Sequence, residues 1–316
     1  MSFKRFDNED VVVSAESITA PAWSNNVVTL SSYFTLASQV SSTSGDYYSD
    51  IYNANPSTDD TAEVQFSIAY GDAQGSGSLL FNSNVDGYSP SSVIYKQART
   101  QLLGDEESFF RINGSDAHSI YVISVERARY KEKILPGSLT IRVNGILYTD
   151  DSPNTTTDTF SDTGRVYNIV SGSAGAPADT TAVGLLYPDA GILIISSSAT
   201  TGTGRNSNQD DDNNANFLTE LQQSTDTFTL RSEETVTSNY VFVRARNSEF
   251  NYSNNPSNIT GSGELRHDSM VDTPQAYIST VGLYNDNNDL LAVAKLSRPL
   301  LKDFTKEALL RIKLDY

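Results

Sequence analysis

No cysteine occurs in the 316 residues. That excludes a disulfide scaffold, a thiolate zinc site, an iron–sulfur cluster and a cysteine nucleophile. Histidine is nearly absent too: the two copies are His118 and His267. They leave little material for an imidazole metal site. Positive charge is scarce, with 22 lysines and arginines against 39 aspartates and glutamates, a net −17. Such a chain repels phosphate backbones, so direct nucleic-acid binding is not expected. No run reaches the ~18 consecutive apolar residues of a membrane helix. The start, Met1 to Asp7, turns polar at once and lacks the apolar centre of a secretion signal.

What is present is aromatic and β-patterned. Seventeen tyrosines and thirteen phenylalanines argue against disorder. The length suits one to three domains with real cores. Val64, Phe66 and Ile68 alternate with polar or small residues, as in a strand with one buried face. Ser119 to Arg127 reads as a strand, and Leu79 to Phe81 as a short one. Leu139 to Tyr148 reads as a hairpin turning at Asn144-Gly145, the favoured two-residue turn. Val183 to Ile195 reads as a second hairpin, turning over Pro188 to Gly191. Tyr240 to Ala245, Tyr277 to Tyr284, Leu290 to Leu296 and Ala308 to Leu314 add further strands.

One helix stands out over 90–103. Ser89 precedes Pro90 at the first helical position, and Gly104 closes the segment. Phe217 to Gln223 suits one or two helical turns. The expected class is therefore all-β or β-dominated, with twelve to fifteen strands. They would form several antiparallel, sandwich-like sheets with one or two short helices. The expected division is an extended N-terminal segment over 1–60, a β domain over 61–170 and a second β domain over 171–316. A long polar loop over 200–216 belongs to the last.

Few residues suggest chemistry. Asp210 to Asn214 and Asp286 to Asp289 offer oxygen ligands, but neither has the spacing of a twelve-residue calcium loop. Asx turns account for both runs without a metal. His267 beside Asp268 is too little for a triad. Gly71 to Gly77 lacks the lysine and hydroxyl ending of a phosphate loop. No catalytic, cofactor or metal residue is assigned. Trp23, the single tryptophan, reads as a packing anchor in the core or at a subunit interface. The basic run Arg127, Arg129, Lys131 and Lys133 reads as a solvated face, or as one that pairs with an acidic partner surface.

Several segments carry a resemblance. They are Glu126 to Gly137, Phe250 to Pro256, Ser279 to Pro299, Arg311 to Tyr316, and the opening Phe3 to Asp7 with Trp23 to Asn26. Together they resemble tail or baseplate structural proteins of large T4-like marine phages, especially cyanophages. The loop around Thr200 to Asn216 is the least typical part. The resemblance implies a non-enzymatic virion component, made in the host cytoplasm and placed in the tail or baseplate. Its partners would be other virion proteins, through self-association or hetero-oligomers. A receptor- or glycan-binding virion module, a neck or capsid-decoration protein and a polysaccharide-degrading enzyme are the alternatives.

Overall fold

The computed structural model describes residues 4–30, 34–35, 48–78, 89–156, 159–198, 213–222, 228–253 and 255–315. Strand accounts for 49% and helix for 15%, so the protein is β-dominated, with several antiparallel sheets and four short helices. Two of the helices, Arg127–Tyr130 and Ser269–Asp272, are single turns. Segments that short carry no readable period.

Strands β1 (Val11–Pro21), β2 (Ser49–Tyr52) and β3 (Val64–Asp72) precede helix α1 (Pro90–Leu103). Next come β4 (Ser119–Val125), β5 (Thr140–Val143), β6 (Ile146–Asp150), β7 (Gly164–Ser173), β8 (Gly184–Tyr187) and β9 (Ile192–Ser196). Helix α2 (Asn213–Gln222) follows, then β10 (Phe228–Thr229), β11 (Arg231–Ala245), β12 (Gln275–Tyr284), β13 (Leu290–Asp303) and β14 (Ala308–Asp315). The expected strand at Leu79 to Phe81 lies outside the described residues, as do 200–212 of the expected loop. Residues 213–216 of that loop are helical, the first turn of α2.

The chain forms two compact units, Ser17–Glu234 and Met1–Glu16 joined with Thr235–Tyr316. This division differs from three consecutive blocks cut near 60 and 170. The N-terminal residues group with the C-terminal ones, a long-range association that composition along the chain does not register.

The larger unit is built on a thirteen-stranded sheet. Its main path runs Thr29–Leu30, β10, β5, β6, β7, β8, β9, β4, β3, β2, Phe34–Thr35. Both predicted hairpins form, with Val143 opposite Ile146 and Tyr187 opposite Ile192. Asn144 and Gly145 both have positive φ, which this turn requires. The central strands are buried on both faces, so β9 reads Ile-Leu-Ile-Ile-Ser without polar alternation. Leu193 and Ile195 face one cluster and Ile192 and Ile194 the other.

Helix α1 covers the second of these faces. Tyr95, Ala98 and Leu102, spaced three and four apart, are its buried stripe. Gly71 in β3 permits the close approach: a Cβ there would lie 3.1 Å from the Tyr95 backbone nitrogen. The Tyr95 hydroxyl donates to the Ala117 carbonyl at 2.6 Å. The other face curls around the main core. There α2 inserts Phe217, whose ring stacks on Tyr121 at 4.2 Å. Trp23 is 1% exposed in this core, where its ring touches both Phe228 and Phe66. Its indole N–H donates to the Phe228 carbonyl at 2.9 Å.

In the smaller unit, β1, β11 and β14 pair in that order, and β12 pairs with β13 in a hairpin. Val241 and Ile312 of the first sheet share a small core with Leu283 of the hairpin. Phe6, Val281 and Ala294 pack around it.

Candidate interaction surface

Several charged groups of the larger unit are paired within it. Arg129 lies 3.1 Å from Glu63 and donates to the Ser24 hydroxyl at 2.8 Å. Ser24 in turn bonds the buried Gln65 through both its backbone N–H and its hydroxyl. The Ser24 hydroxyl bond and then the Arg129 charge hold the Glu63 carboxyl below its ordinary value. Lys131 pairs with Glu234 at 3.0 Å and Lys133 with Glu233 at 3.5 Å. Arg127 lies over the Tyr130 ring. The basic run therefore folds back on acidic groups of its own unit. A docking role for an acidic neighbour loses its main support.

The other sequence candidates settle into structural roles. Asp72 caps the Gly71 to Gly77 connection by accepting from the backbone N–H groups of Gln74 and Ser76. Asn285 accepts from the N–H groups of Asn287 and Asp289 and donates to the Asp289 carboxylate, an Asx turn. Asp210 to Asp212 lie outside the described residues. Among the described residues no group of three or more His, Asp or Glu side chains is placed to hold a metal. His118 packs edge-on against Phe109 at 4.9 Å, and His267 is exposed before a single helical turn.

Two buried ionisable groups escaped the sequence reading. Asp150 is 0% exposed. One carboxylate oxygen accepts from the Gly137 N–H and the Ser152 hydroxyl, and the other has no partner among the described residues. Burial pushes its carboxyl above the ordinary value, against these hydrogen bonds. Lys302, also 0% exposed, donates to the Asn251 side-chain oxygen at 2.6 Å and to the carbonyls of Asp303 and Asn247. Neutral oxygens thus hold this ammonium and tie residues 247–251 to β13. Alternation along Leu290 to Leu296 stops before Lys302, so nothing nearby in sequence announces its burial.

The smaller unit shows a different surface. Twelve of the eighteen large hydrophobic side chains that are exposed among the described residues belong to it. Val11, Val12 and Val13 of β1, Leu291 and Val293 of β13, and Leu309 of β14 are all open to solvent. Within the described residues β1 and β14 each have one sheet neighbour, so each leaves a row of backbone groups unpaired. A depression of 340 Å³ lies beside β12, lined by Ser253, Asn255, Asn258 and Tyr277. Tyr277 is 68% exposed and Tyr252 64%.

No family model, curated protein or solved structure matches this chain. Its function must therefore be argued from its own surfaces.

Proposed function

We propose that this protein is a non-enzymatic structural component of a virion, in the tail or baseplate, that works through protein–protein contacts. The carrying observation is the concentration of exposed apolar side chains and open strand edges on the smaller unit. A free edge strand bearing three consecutive valines is a template for pairing, and soluble proteins ordinarily blunt such edges. In an assembly the same edge is an attachment point, bonded through its backbone and buried through its side chains. The sequence resemblance to tail and baseplate proteins supplies the particle. Electron microscopy of purified particles, with this chain traced into the density, tests the reading. Absence of the chain from intact particles overturns it.

A second reading has one observation in its favour. Tyr277 stands beside serine and asparagine side chains in the β12 depression, a combination of aromatic face and neutral hydrogen-bonding groups that suits a sugar ring. Trp23, the single tryptophan, is buried and unavailable for such a platform. Glycan-array binding that is lost in Tyr277→Ala would favour this alternative.

A further inference from the structure

The β1–β11–β14 sheet of the smaller unit has two unlike edges. Val11, Val13 and Glu16 are exposed along β1, and Glu9 is exposed just before it. Leu309, Arg311, Lys313 and Asp315 are exposed along β14, and Lys313 pairs with Asp315 at 3.0 Å. Tyr240 of β11 lies opposite Lys313, and both Arg311 and Lys313 stand over its ring at 5.4 and 5.9 Å. The two cations and the aromatic therefore share one face. The hydrogen bond to Asp315 holds Lys313 above the ordinary lysine value, and Glu16 adds a smaller contribution from the β1 side. The β1 edge is thus acidic, and the β14 edge, with two cations against the one Asp315 carboxylate, is net positive.

From this geometry we propose that the open β14 edge of one copy receives the open β1 edge of a second copy, continuing the sheet across the boundary. The inference rests on the structural-protein reading and specifies its first partner. Backbone groups left over on β14 meet those left over on β1. Arg311 and Lys313 of one copy meet Glu16 of the next, while Leu309 and Val12, which share the faces of those charges, cover each other's apolar surface. Pairing two β1 edges sets acid against acid, and pairing two β14 edges sets two net-positive edges against each other. The charges that guard each edge against its own kind therefore select the unlike edge. Such a contact is heterologous: it leaves one free edge at each end, and repeats into a ring or a filament.

The test uses the full chain in solution, with mass read by light scattering and by native mass spectrometry. Wild type should associate further as concentration rises, and should dissociate as ionic strength rises. The pair Arg311→Glu with Lys313→Glu should weaken association ~10-fold or more, as should Glu16→Lys. Circular dichroism matching wild type shows that each variant is folded. Mixing the two variants should restore association, because the acidic β14 edge of one then meets the basic β1 edge of the other. Rescue on mixing supports the inference. A wild-type chain that stays monomeric, or oligomers indifferent to both charge changes, overturns it. Either negative result leaves the virion reading to be judged separately, by the presence of the chain in particles.

Discussion

The rings of Phe66 and Phe228 lie 5.0 Å apart and nearly perpendicular, although six strands separate β3 from β10 along the sheet. Only a sheet that curls upon itself brings them together. The contact marks the closure of the larger unit, with Trp23 packed against both rings. Phe66→Ala and Phe228→Ala should each destabilise the unit by ~3–5 kcal/mol, the usual cost of deleting a buried aromatic. Because the rings touch, the double variant should lose less than the two losses added, by ~0.5–1.5 kcal/mol. Denaturant titration followed by fluorescence of the single tryptophan reads both values, since Trp23 reports on this same junction.

Arg129 and Lys131 differ in exposure and should differ in consequence. The Arg129 side chain is 19% exposed and serves both Glu63 and Ser24. Lys131 is 45% exposed and pairs with Glu234 alone. Arg129→Ser should cost ~1–2 kcal/mol, through lost charge-assisted hydrogen bonds in a partly buried network. Lys131→Ser should cost ~0.5 kcal/mol or less, the ordinary yield of a surface pair. Thermal or chemical melts of the two variants compare them directly. Equal losses would show that the network does not act as a unit.

Asp150 gives the larger unit a pH dependence of definite sign. Its carboxyl is raised in the folded state by burial, so the folded chain holds that proton more tightly than the unfolded chain. The stabilising contribution is complete below the unfolded carboxylate value, near 4. It is lost as pH rises through the folded value. Asp150→Asn removes the titration while keeping an oxygen for the Gly137 N–H. The variant should gain on wild type as pH rises from 4 toward 7, by an amount that melts at several pH values measure. A constant difference between the two proteins across that range would refute this account.

Lys302 should act as a tether. Lys302→Met keeps the length of the stem but leaves the Asn251 side-chain oxygen without the Lys302 donor, while the Asn247 carbonyl keeps its bond from the Asn251 amide. A buried acceptor stranded in this way costs ~1–3 kcal/mol. The loss should fall first on residues 247–251, as faster amide hydrogen exchange there than in β11 or β14. Uniform acceleration throughout the smaller unit would show instead that Lys302 supports the whole unit.

Local signals in the sequence are legible where they are self-contained. Ser89, Pro90 and Gly104 bracket α1 at its observed ends, because caps act on their immediate neighbours. Asn144-Gly145 marks its hairpin for the same reason. Strand ends reach further in the fold than the local pattern indicates: β11 begins at Arg231, not near Tyr240, since partners on β1 and at Lys133–Ile134 hold polar residues extended. Trp23 resolves into the core, one of the two roles its size allowed. The candidate surface was scarcely legible. Val11 to Val13 suits a strand, but only the topology shows it at an edge with its side chains exposed. The charge gradient from Glu16 to Lys313 joins residues at opposite ends of the chain, and no local window contains both.

The pairing of Leu30 with Phe228 has a consequence for biosynthesis. Thr29–Leu30 is among the earliest segments of the sheet to leave the ribosome, and its partner is among the last. At ~5–20 residues per second, roughly 10–40 s separate their emergence. Through that interval Trp23 and Leu30 have no completed core to enter, and the nascent chain must keep apolar surface sheltered until β10 arrives. Closure of the larger unit is thus a late event in the life of each copy, set by the pace of translation as much as by the strength of its contacts.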